Sequence, residues 1–171
     1  LKAYNTIMIL PNFLSMVLIA FIVYAFLNPV SGMLNNLSAL GGSGNTDWYS
    51  IPEAWPFILV FVNTWKSVGM SSIIYYAALM AIDDSLFEAA ILEGANKWQQ
   101  TVNISIPHLI PIMTITTILA MGSIFSGDFG LFYQIPRNVG TLYPTTDIIN
   151  TYTFRGLMGG SMEVSAAVGL M

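Results

Sequence analysis

Three strongly apolar stretches of the chain hold almost no charge, and the segments between them are polar, small or turn-forming. The first, residues 7–27 (IMILPNFLSMVLIAFIVYAFL), holds no ionisable residue, and its length meets the roughly 20 residues that an α-helix needs to cross a bilayer. Pro11 lies near one end of it, where a proline is tolerated. The second, residues 57–82 (FILVFVNTWKSVGMSSIIYYAALMAI), is long enough to cross with tilt. Its Gly69, Ser71 and Ser72 let neighbouring backbones come close, so it is expected to pack on other helices. The third, residues 109–125 (LIPIMTITTILAMGSIF), is rich in threonine and has a proline near its start, where the missing N–H is harmless. A further apolar run over 162–171 is read as the start of another span, and the chain as part of a longer one.

The connections differ in character. Residues 28–56, rich in Gly, Asn, Ser and Pro, read as a surface loop with turns, and Trp48, Tyr49 and Trp55 suit an interfacial aromatic belt. Residues 126–160 read as a loop followed by a surface helix that opens at the Thr146/Asp147 cap signal and ends before Gly159. The connection over 83–107 is the most structured. Asp83, Asp84 and Ser85 each offer an N-cap, and Ser85 with Glu88 forms an S-x-x-E capping box. Phe87, Ala90, Ile91 and Gly94 recur on one helical face while Glu88 and Glu93 fall elsewhere, which predicts a short amphipathic helix outside the membrane core. Gly94 permits a turn, and a second short helix through Lys97, Trp98 and Gln99 returns the chain to Pro107.

Composition fixes the solvent. The chain is 55% apolar and 8% charged, against about 25% charge in an ordinary soluble domain. The fold class is therefore all-α, a polytopic transmembrane helix bundle in a lipid bilayer. A net charge of -4 with five Lys plus Arg leaves no footprint for nucleic acid. With one His, no Cys, and no H-E-x-x-H, G-x-S-x-G or P-loop, the sequence offers no catalytic residue, metal-ligand set or cofactor site. An ion-coupled secondary transporter would place paired acids inside its spans and show inverted repeats, whereas every acid here lies in a connection or at a span end. Lys66 is the ionisable residue well inside a span. It either lines a solute path beside Asn63, Trp65 and Tyr75, whose amide and aromatic faces suit sugars, or snorkels to water. Charge does not orient the chain, since Lys2 and Lys97 on one side balance Arg137 and Arg155 on the other.

Glu88-Ala89-Ala90, three residues, Gly94, nine residues, then Ile104-x-Ile106-Pro107 resembles the EAA loop of the MetI-like permeases, the membrane subunits of type I, binding-protein-dependent ABC importers. Two positions depart from that family's pattern: Ile106 stands where Leu is usual, and Glu93 where Asp is usual, each keeping the apolar or acidic character. The flanks PNFLS, NTWKSVG and YPTTDIINTY are similar to the sugar-importer branch of LplB-type permeases, so the resemblance covers nearly the whole chain. It implies a multi-pass subunit of the cell (inner) membrane that forms half of a translocation pathway with a second permease subunit. Two ATP-binding subunits would hydrolyse ATP beneath it, so the chain itself would not be an enzyme, and an extracytoplasmic solute-binding protein would deliver a mono- or oligosaccharide. Residues 83–107 would be cytoplasmic, the loops 28–56 and 126–160 external, and Glu88, Ala89, Ala90, Glu93, Gly94 and Ala95 would couple to the ATPase. Two roles are open to Glu88, pairing with a basic group on that partner or capping its own helix. Trp98 is either an ATPase contact or a headgroup anchor. A permease for a non-sugar solute and an ion-coupled transporter are the alternative readings.

Overall fold

The computed structural model describes residues 2–40, 45–124 and 127–160, and among them the regular structure is helical, without a strand. The helices are α1 (Lys2–Phe13), α2 (Met16–Leu27), α3 (Met33–Leu40), α4 (Trp55–Met80), α5 (Asp84–Leu92), α6 (Lys97–Gln100), α7 (Ile106–Ile124), α8 (Tyr143–Thr146) and α9 (Ile149–Met158). The chain divides into two compact units, one of Leu1–Pro11 with Ser67–Phe125 and one of Asn12–Lys66 with Ser126–Met171. The expected start of a span over 162–171 lies outside the described residues, as does Phe125 at the end of the third span.

The helix expected to span 7–27 is broken into two. Helix α1 stops at Phe13, the chain turns sharply, and α2 restarts at Met16. Ser15 adopts an extended conformation and its hydroxyl accepts from Leu18 N at 3.3 Å, satisfying an amide that the restart leaves unpaired. Pro11 lies inside α1, near its C-terminal end.

In the first unit, the α4 segment after Ser67 packs against the backbone of α1. A Cβ built on Gly69 would fall 1.8 Å from the Met8 carbonyl oxygen, a separation that only glycine allows. Thr116 on α7 donates its hydroxyl back to Ile112 O at 2.9 Å, which leaves its oxygen to accept from Tyr75 of α4 at 3.0 Å. From Lys97 to Ser123 the chain makes one apolar helical run of 27 residues, about 40 Å at 1.5 Å per residue and enough to cross a bilayer. The third span thus extends back through α6, and Pro107 and Pro111 sit within it rather than at its opening. A π turn over Thr101–Ser105 precedes Pro107, with Ile106 N donating to Thr101 O. The widened turn makes room for a ring that would otherwise meet the carbonyl four residues back. His108 donates from Nδ1 to Ile104 O at 2.7 Å in the same disturbed turn.

The second unit packs residues of 28–56 and of the loop part of 126–160 into a core, rather than leaving them wholly at the surface. Its core is Ile19, Ala20 and Leu27 of α2, Tyr49, Trp55, Leu59 and Val62, with Leu131, Ile135 and Leu142 from the later segment. Tyr49 and Trp55 are core residues, 8% and 0% exposed, and not members of an interfacial belt. Trp55 gives its indole N–H to Trp48 O at 2.9 Å. Thr141 and Thr145 donate to Tyr49 O and Pro52 O, each at 2.8 Å, and so tie the two segments together through carbonyls that the irregular backbone leaves open. Asn35, fully buried, shares its amide N–H groups among the carbonyls of Asn28, Pro29 and Thr46 and accepts from Thr46 N. Helix α9 begins at Ile149 and ends before Gly159, as the cap signal predicts within three residues, and α8 precedes it.

Candidate functional site

The segment 83–107 holds one short helix, α5, capped at both ends by the segment's own groups, and the capped start of the long run from α6 into α7. Asp83, not Ser85, is the N-cap of α5: its carboxylate accepts from Ser85 N at 2.9 Å, and that bond with the Ser85 side chain holds the carboxyl below its usual range. The S-x-x-E box is thereby excluded, because the amide that Glu88 would have to reach lies inside the cap of another residue. Glu88 is exposed and has no hydrogen bond or ion pair among the described residues. At the far end Gly94 N donates to Ile91 O at 3.0 Å and Ala95 N to Ala90 O at 2.9 Å, the paired bonds of a Schellman motif. Gly94 supplies the left-handed residue this motif needs, at φ +80°, and a Cβ there would meet no atom within 4 Å.

A second cap follows at once. Asn96 Oδ1 accepts from Gln99 N at 2.8 Å while Gln99 Oε1 accepts from Asn96 N at 2.9 Å, a reciprocal capping box that starts α6. The N-x-x-Q signal was legible in the sequence and was missed there. Gln100 donates to Ala95 O at 3.0 Å, binding the turn to the helix after it.

The face that α5 turns outward differs from the expected one. Phe87 and Ala90 are half-buried, but Ile91 is 61% exposed, and Leu86 (43%), Leu92 (89%) and Trp98 (74%) join it. Glu88, Ala89 and Glu93 are also exposed, and Ala95 is half-buried behind Gly94. The two helices thus present large apolar side chains beside two carboxylates, on a frame that its own caps hold in shape.

The four residues expected along a solute path are less convergent. Asn63 and Lys66, three apart on α4, share a face. Trp65 points elsewhere and lines an apolar groove of about 600 Å³ with Ile19, Val23, Phe26, Phe61 and Val62. Tyr75 is committed to Thr116.

Sequence reasoning also passed over a polar network in the second unit. Arg155 pairs with Asp147, lies 4.0 Å over the Tyr143 ring, and reaches Asn138 Oδ1 at 3.5 Å. Burial alone would raise the Asp147 carboxyl, but bonds from Thr151 and Arg155, with the Arg155 charge, hold it below its usual value.

Comparison with known proteins agrees with this architecture. Residues 2–171 match the family model described as "Binding-protein-dependent transport system inner membrane component". The polygalacturonan/rhamnogalacturonan transport system permease protein YteP of Bacillus subtilis (strain 168) is 28% identical over 170 residues, 99% of this chain and 52% of that protein. Protein LplB of the same organism is 28% identical, over 99% of this chain and 53% of its own length. Among solved structures, a bacterial ABC transporter involved in the import of the acidic polysaccharide alginate has a chain with a TM-score of 0.88 and 34% identity, over 99% of this chain and 59% of that one. The chain spans about half the length of the curated relatives it matches. With the family model aligned along its helices from Lys2 onward, the chain belongs to the inner-membrane components of binding-protein-dependent transport systems.

Proposed function

We propose that the chain is the permease subunit of an ABC importer for a mono- or oligosaccharide, coupled to its ATPase through residues 83–107. The observation that carries this reading is that exposed Ile91 and Leu92 share a face of α5 with Glu88, which has no hydrogen bond or ion pair among the described residues, while Leu86 and Trp98 are exposed nearby in sequence. A helix enters a groove by burying such side chains, and a flanking acid sets its register against a basic group. Because Glu88 does not cap its own helix, its charge is left for that contact. Glu88, Ala89, Ala90, Glu93, Gly94 and Ala95 form the docking segment on the cytoplasmic side. Nucleotide hydrolysis belongs to two ATP-binding subunits, a second permease chain completes the pathway, and an extracytoplasmic binding protein delivers the solute to the side bearing 28–56 and 126–160. The solute passes the α4 face with Asn63 and Lys66; Trp65, in its apolar groove, and Tyr75, bonded to Thr116, are left out of that path. Family membership and the carbohydrate-importing relatives support this reading.

The test is ATP-driven oligosaccharide uptake by the full-length permease reconstituted with its partner subunits. Leu92→Ala removes a contact whose burial is worth about 1.5–3 kcal/mol, so ATPase affinity should fall about 10- to 100-fold. Glu88→Lys should abolish uptake while leaving the subunit inserted. Undiminished uptake by both variants overturns the assignment.

A further inference from the structure

Arg137 and Asn138 are the non-glycine residues with left-handed backbone among those described, at φ 56° and 52°. They are the central pair of a tight turn closed by Val139 N donating to Pro136 O at 3.3 Å, and a turn with both central residues at positive φ ordinarily selects Gly, Asn or Asp. Asn138 fits that preference. An arginine does not, and holding it there costs about 1–2 kcal/mol of backbone strain. The turn is fixed from behind: Asn138 Oδ1 accepts from Tyr143 Oη at 3.1 Å and lies 3.5 Å from Arg155 Nη1, while Arg155 is itself anchored by Asp147. The network holds the turn from the Asn138 side and leaves the Arg137 side chain out of it.

The Arg137 guanidinium lies 4.0 Å over the Tyr24 ring, an arrangement that fixes its plane and leaves its N–H edge open. Unlike Arg155, it has no carboxylate within 4 Å among the described residues. It opens onto a pocket of about 250 Å³ walled by Phe21 and Tyr133, with the amides of Gln134 and Asn138 beside it. A planar fork, flanking amides and aromatic walls fit a ring bearing one carboxylate: the fork takes the acid bidentately, the amides take hydroxyls, and the walls take the apolar ring face. A neutral sugar would use the walls and the amides but not the cation.

We infer that this pocket, between the start of α2 and residues 133–138, is a subsite for the carboxylate of a uronate-bearing oligosaccharide, with Arg137 as its selectivity residue. The inference rests on the importer reading for the sugar's route, but binding at the pocket does not require transport. The test uses the full-length permease in its assembled complex, trigalacturonate as the acidic probe and its carboxyl-reduced, neutral counterpart as the control. Binding is followed by saturation-transfer NMR in detergent, and uptake in vesicles. R137Q should weaken trigalacturonate binding and raise its KM about tenfold or more, while changing the neutral trisaccharide by less than about twofold, with R137K intermediate because it keeps charge and loses the fork. Equal losses for both sugars, or none for trigalacturonate, overturn the subsite. So does an effect of R137Q that appears only in vesicles containing anionic lipid, since the pocket would then hold a phosphate headgroup. Arg137-dependent binding with no ATP-driven uptake of either sugar would instead keep the subsite and remove the importer reading.

Discussion

Gly94 separates what a residue does for its own helix from what it does for a partner. Its φ of +80° is a left-handed value, and an L side chain there costs about 1–2 kcal/mol. That shifts the closing turn of α5 toward its frayed form by about 5- to 30-fold. The space around the position is open, however: a Cβ at Gly94 meets nothing within 4 Å, so larger side chains add no clash inside the subunit. Gly94→Ala and Gly94→Trp should therefore carry nearly the same intrinsic penalty, read as similar small shifts in the thermal melt of the purified full-length permease. They should part company in the assembled importer. Alanine should lose part of the uptake through the frayed turn, whereas tryptophan should, if α5 docks as proposed, fill the space through which the ATPase subunit would approach and uncouple ATP hydrolysis from uptake. Gly94→Asn, which tolerates the left-handed backbone, should melt closest to the parent. If tryptophan and alanine support the same uptake, no partner comes close at Gly94 and the docking assignment of α5 is wrong.

Two further expectations concern stability. The Tyr49 hydroxyl is buried without a hydrogen-bond partner among the described residues, and burial, offset in part by the nearby Arg137 charge, raises its pKa to about 12 from 10.0. The folded form then resists ionisation more than the unfolded one, so the stability is complete below pH 10 and is lost between about pH 10 and 12, by roughly 3 kcal/mol. Tyr49→Phe should remove that alkaline transition in a detergent melt series and leave the neutral-pH melting temperature equal or higher; a lower one would mean the hydroxyl has a partner. Gly69→Ala would put a methyl group onto the Met8 carbonyl and force α1 away from α4, at about 1–3 kcal/mol for overpacking. An unchanged melting temperature for this variant would rule out the close backbone contact.

Much of this molecule was legible where the controlling interactions are local. The 3.6-residue spacing and the Gly after Glu93 placed α5 and its left-handed stop, and the apolar runs placed the cores of α4 and α7. Ser85 was chosen as cap because S-x-x-E is a strong pattern, but Asp83 stands two residues earlier and reaches the same amide, a competition that sequence does not rank. The break at Leu14 and Ser15 was hidden by the unbroken apolar run around it, although Ser15 carries a cap signal. Tyr49 and Trp55 were misplaced for a different reason. They share a core with α2 and with Leu131, Ile135 and Leu142, more than 70 residues away, and periodicity holds no information about which distant segment covers a ring. Arg137 stood out to no sequence rule because its significance lies in a backbone angle.

The unbroken run from Lys97 into α7 determines how force would travel. A flexible linker would absorb small displacements as slack, but here the short arm beside the Asn96 cap is the first turn of the rod itself, so a nudge at Trp98 displaces the far end as well. The compliant joint along that shaft is the widened turn at Thr101–Ser105, just ahead of Pro107, and it permits bending or twist while keeping the shaft in one piece. If residues 83–107 dock on a partner as proposed, such a crank would convert a small sideways stroke at one surface into a tilt deep in the bilayer.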